Sequence, residues 1–204
     1  MRLLERRSSP SKYNYENLDG NWLFRQVMYV IESRQNRRLA LTDSKTGLYN
    51  QTWWDRYSER IYDDVVVNKR QLISVVVMDF DCMHELNEMI GHGGVDDILR
   101  NFGKLLSAEG GVFRTSSSDM LVARVGGDEF AAILTRTGAQ DAVTAAERVN
   151  VGLRRLSVLE PTATIGIADN GGGLGSMDKM FRAADSVLMQ AKREGKRGTV
   201  SIYK

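Results

Sequence analysis

The sequence predicts an α+β domain in which a central mixed sheet is surrounded by helices. Strand-length apolar runs cover residues 72–78, 120–125 and 130–135. Apolar residues at helical spacing mark residues 53–65 and 139–156. The chain has 204 residues, 42% of them hydrophobic, which is enough for one sizeable core. We therefore expect one compact domain with a short extension.

Composition narrows the class of protein. The formal net charge is only +2, and no dense Lys/Arg tract is interleaved with aromatic residues, so no nucleic-acid partner is expected. Cys82 is the single cysteine, which excludes an internal disulfide and fits a reducing compartment. The longest apolar run is too short to span a bilayer. A cytoplasmic protein is the expectation.

A β-hairpin is predicted where two strand-like runs flank Gly126-Gly127-Asp128-Glu129. Glycines at its tip can take positive φ and approach a ligand closely. The adjacent carboxylates repel each other, which calls for a cation. Magnesium with a nucleotide triphosphate is one interpretation, and an ordinary Gly-Gly-Asp turn is the other.

A second acidic stretch favours the magnesium interpretation. The apolar run 72–78 ends directly in Asp79-Phe80-Asp81. A carboxylate at the end of a buried strand, beside a hairpin bearing two more, gives the oxygen-rich site that magnesium prefers.

Gly126-Gly127-Asp128-Glu129-Phe130 is the GGDEF signature, and the chain resembles a GGDEF domain of the diguanylate cyclase family over residues 42–203. The resemblance implies a palm-like nucleotidyl-cyclase fold with a mostly antiparallel five-stranded sheet. It also implies a second-messenger enzyme that condenses two GTP molecules into cyclic di-GMP.

The resemblance implies a site residue by residue. Asp79, the Phe80 carbonyl, Asp128 and Glu129 would hold magnesium, with manganese as the alternative ion, in a two-metal geometry. Asp128 or Glu129 would accept the proton from the 3′-hydroxyl of a GTP held by the facing subunit. Catalysis would therefore require a homodimer.

The same motifs assign residues to the substrate. Asn87 and Asp96 stand where the family reads guanine, and Lys192 and Lys196 where it contacts phosphates. Further residues of these motifs are assigned to substrate binding: Cys82, Met83 and Leu99. Without the resemblance, Asn87 and Asp96 fit a helix surface and a helix cap. The two lysines would then fit ordinary partners of a helix dipole.

Several positions depart from the family pattern. Lys45 replaces a leucine that lines the guanine pocket, and Lys196 replaces an arginine. His84 replaces the lysine credited with stabilising transition-state charge, so slower chemistry is expected. His84 also begins a pattern like His-Glu-x-x-His, but Glu88 stands at the fifth position and a zinc-protease interpretation fails. His92 is interpreted as a structural hydrogen-bonding residue.

Ser117 and Met120 occupy the positions of an Arg-x-x-Asp pair that binds inhibitory product in many family members. We therefore expect no product-inhibition site of that kind. The alternative function is a degenerate GGDEF module that binds GTP or a partner protein without catalysis. A cyclase of altered base choice is disfavoured because Asp96 is retained.

The extension preceding the domain is predicted in two parts. Residues 1–20 are polar and aperiodic, as in a flexible arm. Residues 21–41 show helical spacing and resemble the signalling helix that pairs two copies, although a helix packed on its own domain fits equally. Residues 42–204 would form the catalytic domain. A separate sensor or regulatory protein would be a further partner.

Overall fold

The computed structural model describes residues 40–107 and 120–204. The predicted arm (1–20), nearly all of the predicted helix (21–41) and Ser117 lie outside these ranges. The described residues form six strands and four α-helices in this order: β1 Tyr49–Asn50, α1 Gln51–Tyr62 with a π-helical continuation Asp63–Asn68, β2 Ile73–Phe80, α2 Met83–Leu106, β3 Met120–Arg124, β4 Glu129–Thr135, α3 Ala139–Arg154, β5 Ala163–Asp169, a 3₁₀ turn Asn170–Gly172, α4 Met177–Arg193 and β6 Val200–Ile202.

The strands form one open mixed sheet in the order β1-β3-β4-β2-β5-β6. The four central strands pair antiparallel, and the two outer pairs, β1 with β3 and β5 with β6, are parallel. The predicted α+β fold is confirmed. Five strands were expected, but the described residues form six. The additional strand is Tyr49–Asn50, which pairs with β3. A two-residue strand has no periodicity that could reveal it in the sequence.

Helices cover both faces of the sheet, so the core has two layers. Side chains alternate along β2, which places Met78 and Phe80 against α2 and α3 and Val75 and Val77 against α1 and α4. Within the described residues, no helix is sufficiently long and apolar to cross a membrane.

Three aromatic rings fix the hairpin against α2. Phe102 of α2 lies edge-on to Phe80 and Phe130, with ring centroids 4.8 and 5.0 Å apart. Each of these two strand residues directly follows a residue of the predicted site. The packing of the buried rings therefore determines where the preceding carboxylates lie.

Candidate active site at the hairpin tip

Two predicted metal ligands lie side by side on neighbouring strands of the sheet. Asp79 of β2 lies directly opposite Glu129 of β4 in the antiparallel register. By strand alternation, the Asp79 side chain shares the face of Val75 and Val77, towards α4. The Phe80 amide donates to the Asp128 carbonyl at 3.1 Å and so holds the hairpin tip at the end of β2. The register thus brings three acidic residues, Asp79, Asp128 and Glu129, to the same end of two central strands.

The tip glycines act differently from the prediction. Neither Gly126 nor Gly127 has positive φ, so these glycines do not use the backbone conformation that was expected of them. A Cβ at Gly126 would lie 2.5 Å from the Glu129 carboxylate, whereas a Cβ at Gly127 would meet no atom within 4 Å. The Glu129 side chain folds back over Gly126, so a larger residue at this position would require that side chain to move. Gly127 leaves the backbone beside the cleft uncovered.

Lys192 of α4 lies between these oxygen atoms. Its ammonium group donates to the Asp79 carboxylate and lies 3.4 Å from the Phe80 carbonyl oxygen. The sequence assigns Lys192 to a substrate phosphate, but here the lysine contacts two of the predicted metal ligands. A cation at this point shows that the oxygen cluster attracts positive charge.

The raised pKa values of Asp79 and Glu129 support the interpretation that these carboxylates attract a cation. Burial raises the pKa of Asp79, and the charges of Asp128 and Asp81 add to this while Lys192 opposes it. Desolvation also raises the pKa of Glu129, with further increases from Asp79, Asp128 and Asp185. Like charges directly opposite on paired strands are unfavourable unless a cation lies between them.

The donor set suits a hard divalent cation chemically, because it consists of carboxylate and carbonyl oxygens. It is not assembled in advance: within residues 40–107 and 120–204, no three acidic, histidine or cysteine side chains cluster closely enough to hold a metal. Binding of a metal ion would require Lys192 to exchange its contact with Asp79 for another partner.

A cleft of about 270 Å³ lies beside the hairpin tip. The residues lining it come from the loop before β1, from α2, from the end of β3 and from the tip: Lys45, Met83, Asn87, His92, Val95, Asp96, Leu99, Arg124, Gly127 and Asp128. The fold therefore brings Met83, Asn87, Asp96 and Leu99, all assigned to substrate binding, to one cleft with Asp128.

The Asn87 side chain is held by two neighbours. Its amide nitrogen donates to the Met83 carbonyl at 3.0 Å, and its amide oxygen lies 3.0 Å from Nδ1 of His92. Gly91, with φ of 70°, breaks α2 before His92 and lets the chain turn there. His92 therefore has the structural hydrogen-bonding role expected from the sequence.

Besides Asp79, Phe80, Glu129 and Lys192, three further assigned residues do not line the cleft. His84, in the first turn of α2, is 83% exposed, and its Nε2 lies 3.3 Å from Glu88. Lys196 follows α4 and pairs with Glu194 at 2.7 Å. Cys82 is exposed, with Sγ 3.1 Å from an Arg197 nitrogen. In this chain alone, these three side chains therefore contact other residues and do not line the cleft.

Arg124 is a site residue that the sequence analysis missed. Its guanidinium lies 3.2 Å from Asp43 and donates to the Gly127 carbonyl, so it joins the hairpin tip to the loop before β1. Burial alone would raise the pKa of Asp43, but hydrogen bonds from Thr46 and the charge of Arg124 lower it below its usual value. The position of this arginine, two residues before the two glycines, could have marked it as a site residue. Its partner Asp43 could not be identified from the sequence, because it lies 81 residues away.

Asp81 supports the site without lining it. The buried carboxylate accepts hydrogen bonds from Thr162, Thr164 and the Gly198 amide at 2.6 to 2.8 Å. It therefore ties the end of β2 to β5 and to the start of β6. These hydrogen bonds anchor the strand end that carries Asp79 and Phe80.

The chain combines an open, mixed α+β sheet with an acidic hairpin tip beside a polar cleft. This combination of fold and site defines the class of protein. The family model described as "Diguanylate cyclase, GGDEF domain" matches residues 40–198. The chain therefore belongs to the GGDEF domain family.

Individual proteins of known sequence also resemble this chain. The chain is 27% identical over 185 residues to DgcC of Escherichia coli K12, named as a probable diguanylate cyclase, and covers 48% of that protein. It is 29% identical over 175 residues to the response regulator PleD of Caulobacter vibrioides, covering 36% of it. The two alignments take in 87% and 79% of the present chain. The chain thus spans at most about half the length of these relatives.

A solved structure gives the same result for the fold. The GGDEF domain of DgcB from Caulobacter crescentus, in complex with c-di-GMP, superposes with a TM-score of 0.69 at 26% identity. The match covers 80% of the present chain and 96% of that domain.

Proposed function

We propose that the protein is a diguanylate cyclase that condenses two GTP molecules into cyclic di-GMP and two pyrophosphates. The observation that carries the proposal is the register of Asp79 with Glu129, which places two carboxylates opposite each other at the tip that also bears Asp128. The cleft beside the tip contains the pair assigned to guanine, Asn87 and Asp96. Family membership supports the same activity.

In this proposal the chain's own groups bind, orient and deprotonate. Asp79, the Phe80 carbonyl, Asp128 and Glu129 would hold magnesium or manganese, which supplies charge stabilisation at the attacking and leaving oxygens. Asp128 or Glu129 takes the proton of the 3′-hydroxyl. That oxygen then bonds to the α-phosphorus of the other GTP, and pyrophosphate leaves. Two such transfers close the ring, so two subunits must face each other.

Incubation with GTP and magnesium, with and without ATP, followed by mass analysis of the products tests the proposal. Cyclic di-GMP is the expected product in both mixtures, because Asp96 accepts the N1 and N2 donors that adenine lacks. A product containing adenine would contradict the base assignment. GTP binding without any product would favour the alternative, a binding module without catalysis.

Regulation remains part of the proposal. With Ser117 and Met120 in place of the Arg-x-x-Asp pair, the protein would lack that product-inhibition site. We propose a cytoplasmic enzyme with residues 1–20 as an arm, 21–41 as a dimerisation helix and 42–204 as the catalytic domain. A separate regulatory protein would act through the helix.

His84 gives a prediction about the rate. His84→Lys should raise the catalytic rate about tenfold at pH 8, a little over 1 kcal/mol in the barrier. The reason is that lysine brings permanent charge to the phosphates, whereas histidine does not. Rates at saturating GTP and equal dimer concentration provide the measurement.

Thr144→Lys is the matched control for His84→Lys. It adds one positive charge to an exposed position of α3, and it should leave the rate at pH 8 unchanged. An unchanged or lower rate for His84→Lys at pH 8 would show that the position does not stabilise charge in the reaction.

A further inference from the structure

The loop that carries Lys45 contacts β3 on one side and α2 on the other. Asp43 bonds to Arg124 on one side, and its own backbone amide donates to the Leu48 carbonyl at 2.8 Å. On the other side, the Thr46 carbonyl packs on Gly103 of α2, where a Cβ would lie only 2.3 Å from that oxygen. The position of the Lys45 backbone relative to α2 is therefore fixed by contacts on both sides.

The Lys45 side chain meets the residue assigned to reading guanine. Its ammonium nitrogen lies 2.5 Å from Oδ1 of Asp96, and both side chains line the cleft. The hydrogen bond from Lys45 lowers the pKa of Asp96, with smaller effects from Arg100 and Arg124. The carboxylate of Asp96, with Lys45 on one oxygen, can still accept hydrogen bonds from base N–H groups.

The ion pair itself contributes little to the folded state. The Lys45 and Asp96 side chains are 47% and 35% exposed, and exposed pairs contribute about 0–1 kcal/mol. Lys45 binds one oxygen of a carboxylate that offers about four lone-pair sites. The pair can therefore accept a base without being broken.

The base edge complements this pair. Guanine presents the O6 acceptor next to the N1 and N2 donors, whereas adenine presents an N6 donor in place of O6. An ammonium group bound to the carboxylate oxygen that accepts from N1 lies beside O6. The same group would meet the amino group of adenine, donor against donor.

We propose that Lys45 is a second base-specificity residue, which donates to O6 of guanine while Asp96 accepts from N1 and N2. The inference rests on the proposed function, since it concerns the GTP that the cleft would hold. It assigns the specificity of this chain to a lysine-aspartate pair, where the family pattern has an aspartate and an apolar leucine.

The experiment measures binding of 3′-deoxy triphosphates, which lack the attacking hydroxyl, by calorimetry with magnesium. The probes are 3′-deoxyGTP and its 6-thio analogue, which keeps N1–H and N2–H but replaces O6 by a weaker acceptor. The proteins are wild type, Lys45→Met, Lys45→Arg and a control, Lys104→Met. The control removes an exposed lysine that lies on α2 and does not line the cleft.

Wild type should bind 3′-deoxyGTP about tenfold more tightly than the thio analogue, as for one hydrogen bond to a charged group. Lys45→Met should lose that tenfold and bind both probes alike, since only O6 distinguishes them. Lys45→Arg should keep most of the discrimination because arginine still donates, and Lys104→Met should resemble wild type.

Two results would overturn the inference, and they differ. If Lys45→Met binds 3′-deoxyGTP as tightly as wild type or more tightly, with the thio ratio unchanged, Lys45 only masks Asp96 and the proposed function stands. If wild type binds neither probe, the proposed function falls, and the inference falls with it.

Discussion

Asp128→Asn and Glu129→Gln should each reduce cyclic di-GMP formation about a thousandfold, the scale for removing a group that stabilises transition-state charge. Both changes keep the side-chain shape and remove a carboxylate that would accept the proton and hold the metal. Product formation from GTP, followed by chromatography, provides the measurement. Asp141→Asn, which removes an exposed carboxylate from α3, should retain full activity.

The loss of activity should not arise from unfolding. The raised pKa of Glu129 means that the folded protein holds this proton more tightly than the unfolded chain does. Ionisation therefore costs stability as the pH rises through the window above the unfolded pKa. Glu129→Gln should melt at the same temperature as wild type or higher at pH 8, and that advantage should vanish below the unfolded pKa. Undiminished cyclisation by both variants would refute the assigned roles.

Arg124→Met should destabilise the fold by about 2 kcal/mol. The Arg124 side chain is only 10% exposed and that of Asp43 22%, so removing the arginine leaves a largely buried carboxylate without its charged partner. This loss of stability is smaller than the 3–5 kcal/mol typical of fully buried pairs, because Asp43 keeps its hydrogen bonds from Thr46. Urea unfolding at pH 7 provides the measurement.

Arg182→Met is the matched control for Arg124→Met. Arg182 pairs with Asp178 at 3.0 Å, with both side chains mostly exposed, so its loss should cost less than about 1 kcal/mol. A double-mutant cycle with Asp43→Asn should show coupling between Asp43 and Arg124. Equal effects of the two arginine changes would show that Arg124 is not a structural anchor of the tip.

Much of the fold could be predicted from local sequence patterns. The apolar runs before Asp79 and on both sides of Gly126-Gly127 became β2, β3 and β4, because a strand buried on both faces needs continuous apolar residues. Stretches with helical spacing became α1 and α3. The acidic hairpin and the family resemblance were readable for the same reason: each lies within a few consecutive residues.

The conformation of the tip was beyond such patterns. Two adjacent glycines suggested positive φ, but the structure uses Gly126 for space beneath Glu129. Local sequence cannot distinguish a glycine needed for its backbone angles from one needed because a neighbour occupies its side-chain volume. That distinction depends on where Glu129 points.

By itself, the sequence determined the α+β class, the acidic hairpin and the residue types available to a nucleotide site. Only the tertiary structure decided which of them meet: Lys45 with Asp96, Arg124 with Asp43, and Lys192 with Asp79, partners separated by 51, 81 and 113 residues. These pairs form because helices pack on a sheet with one register, and each helix rotation and close approach is set by buried side chains such as Phe102 and by Gly103. The residues next to a surface charge do not indicate which distant residue it will contact. The sequence could therefore identify Lys45 as a departure from the family pattern but could not show that it contacts Asp96.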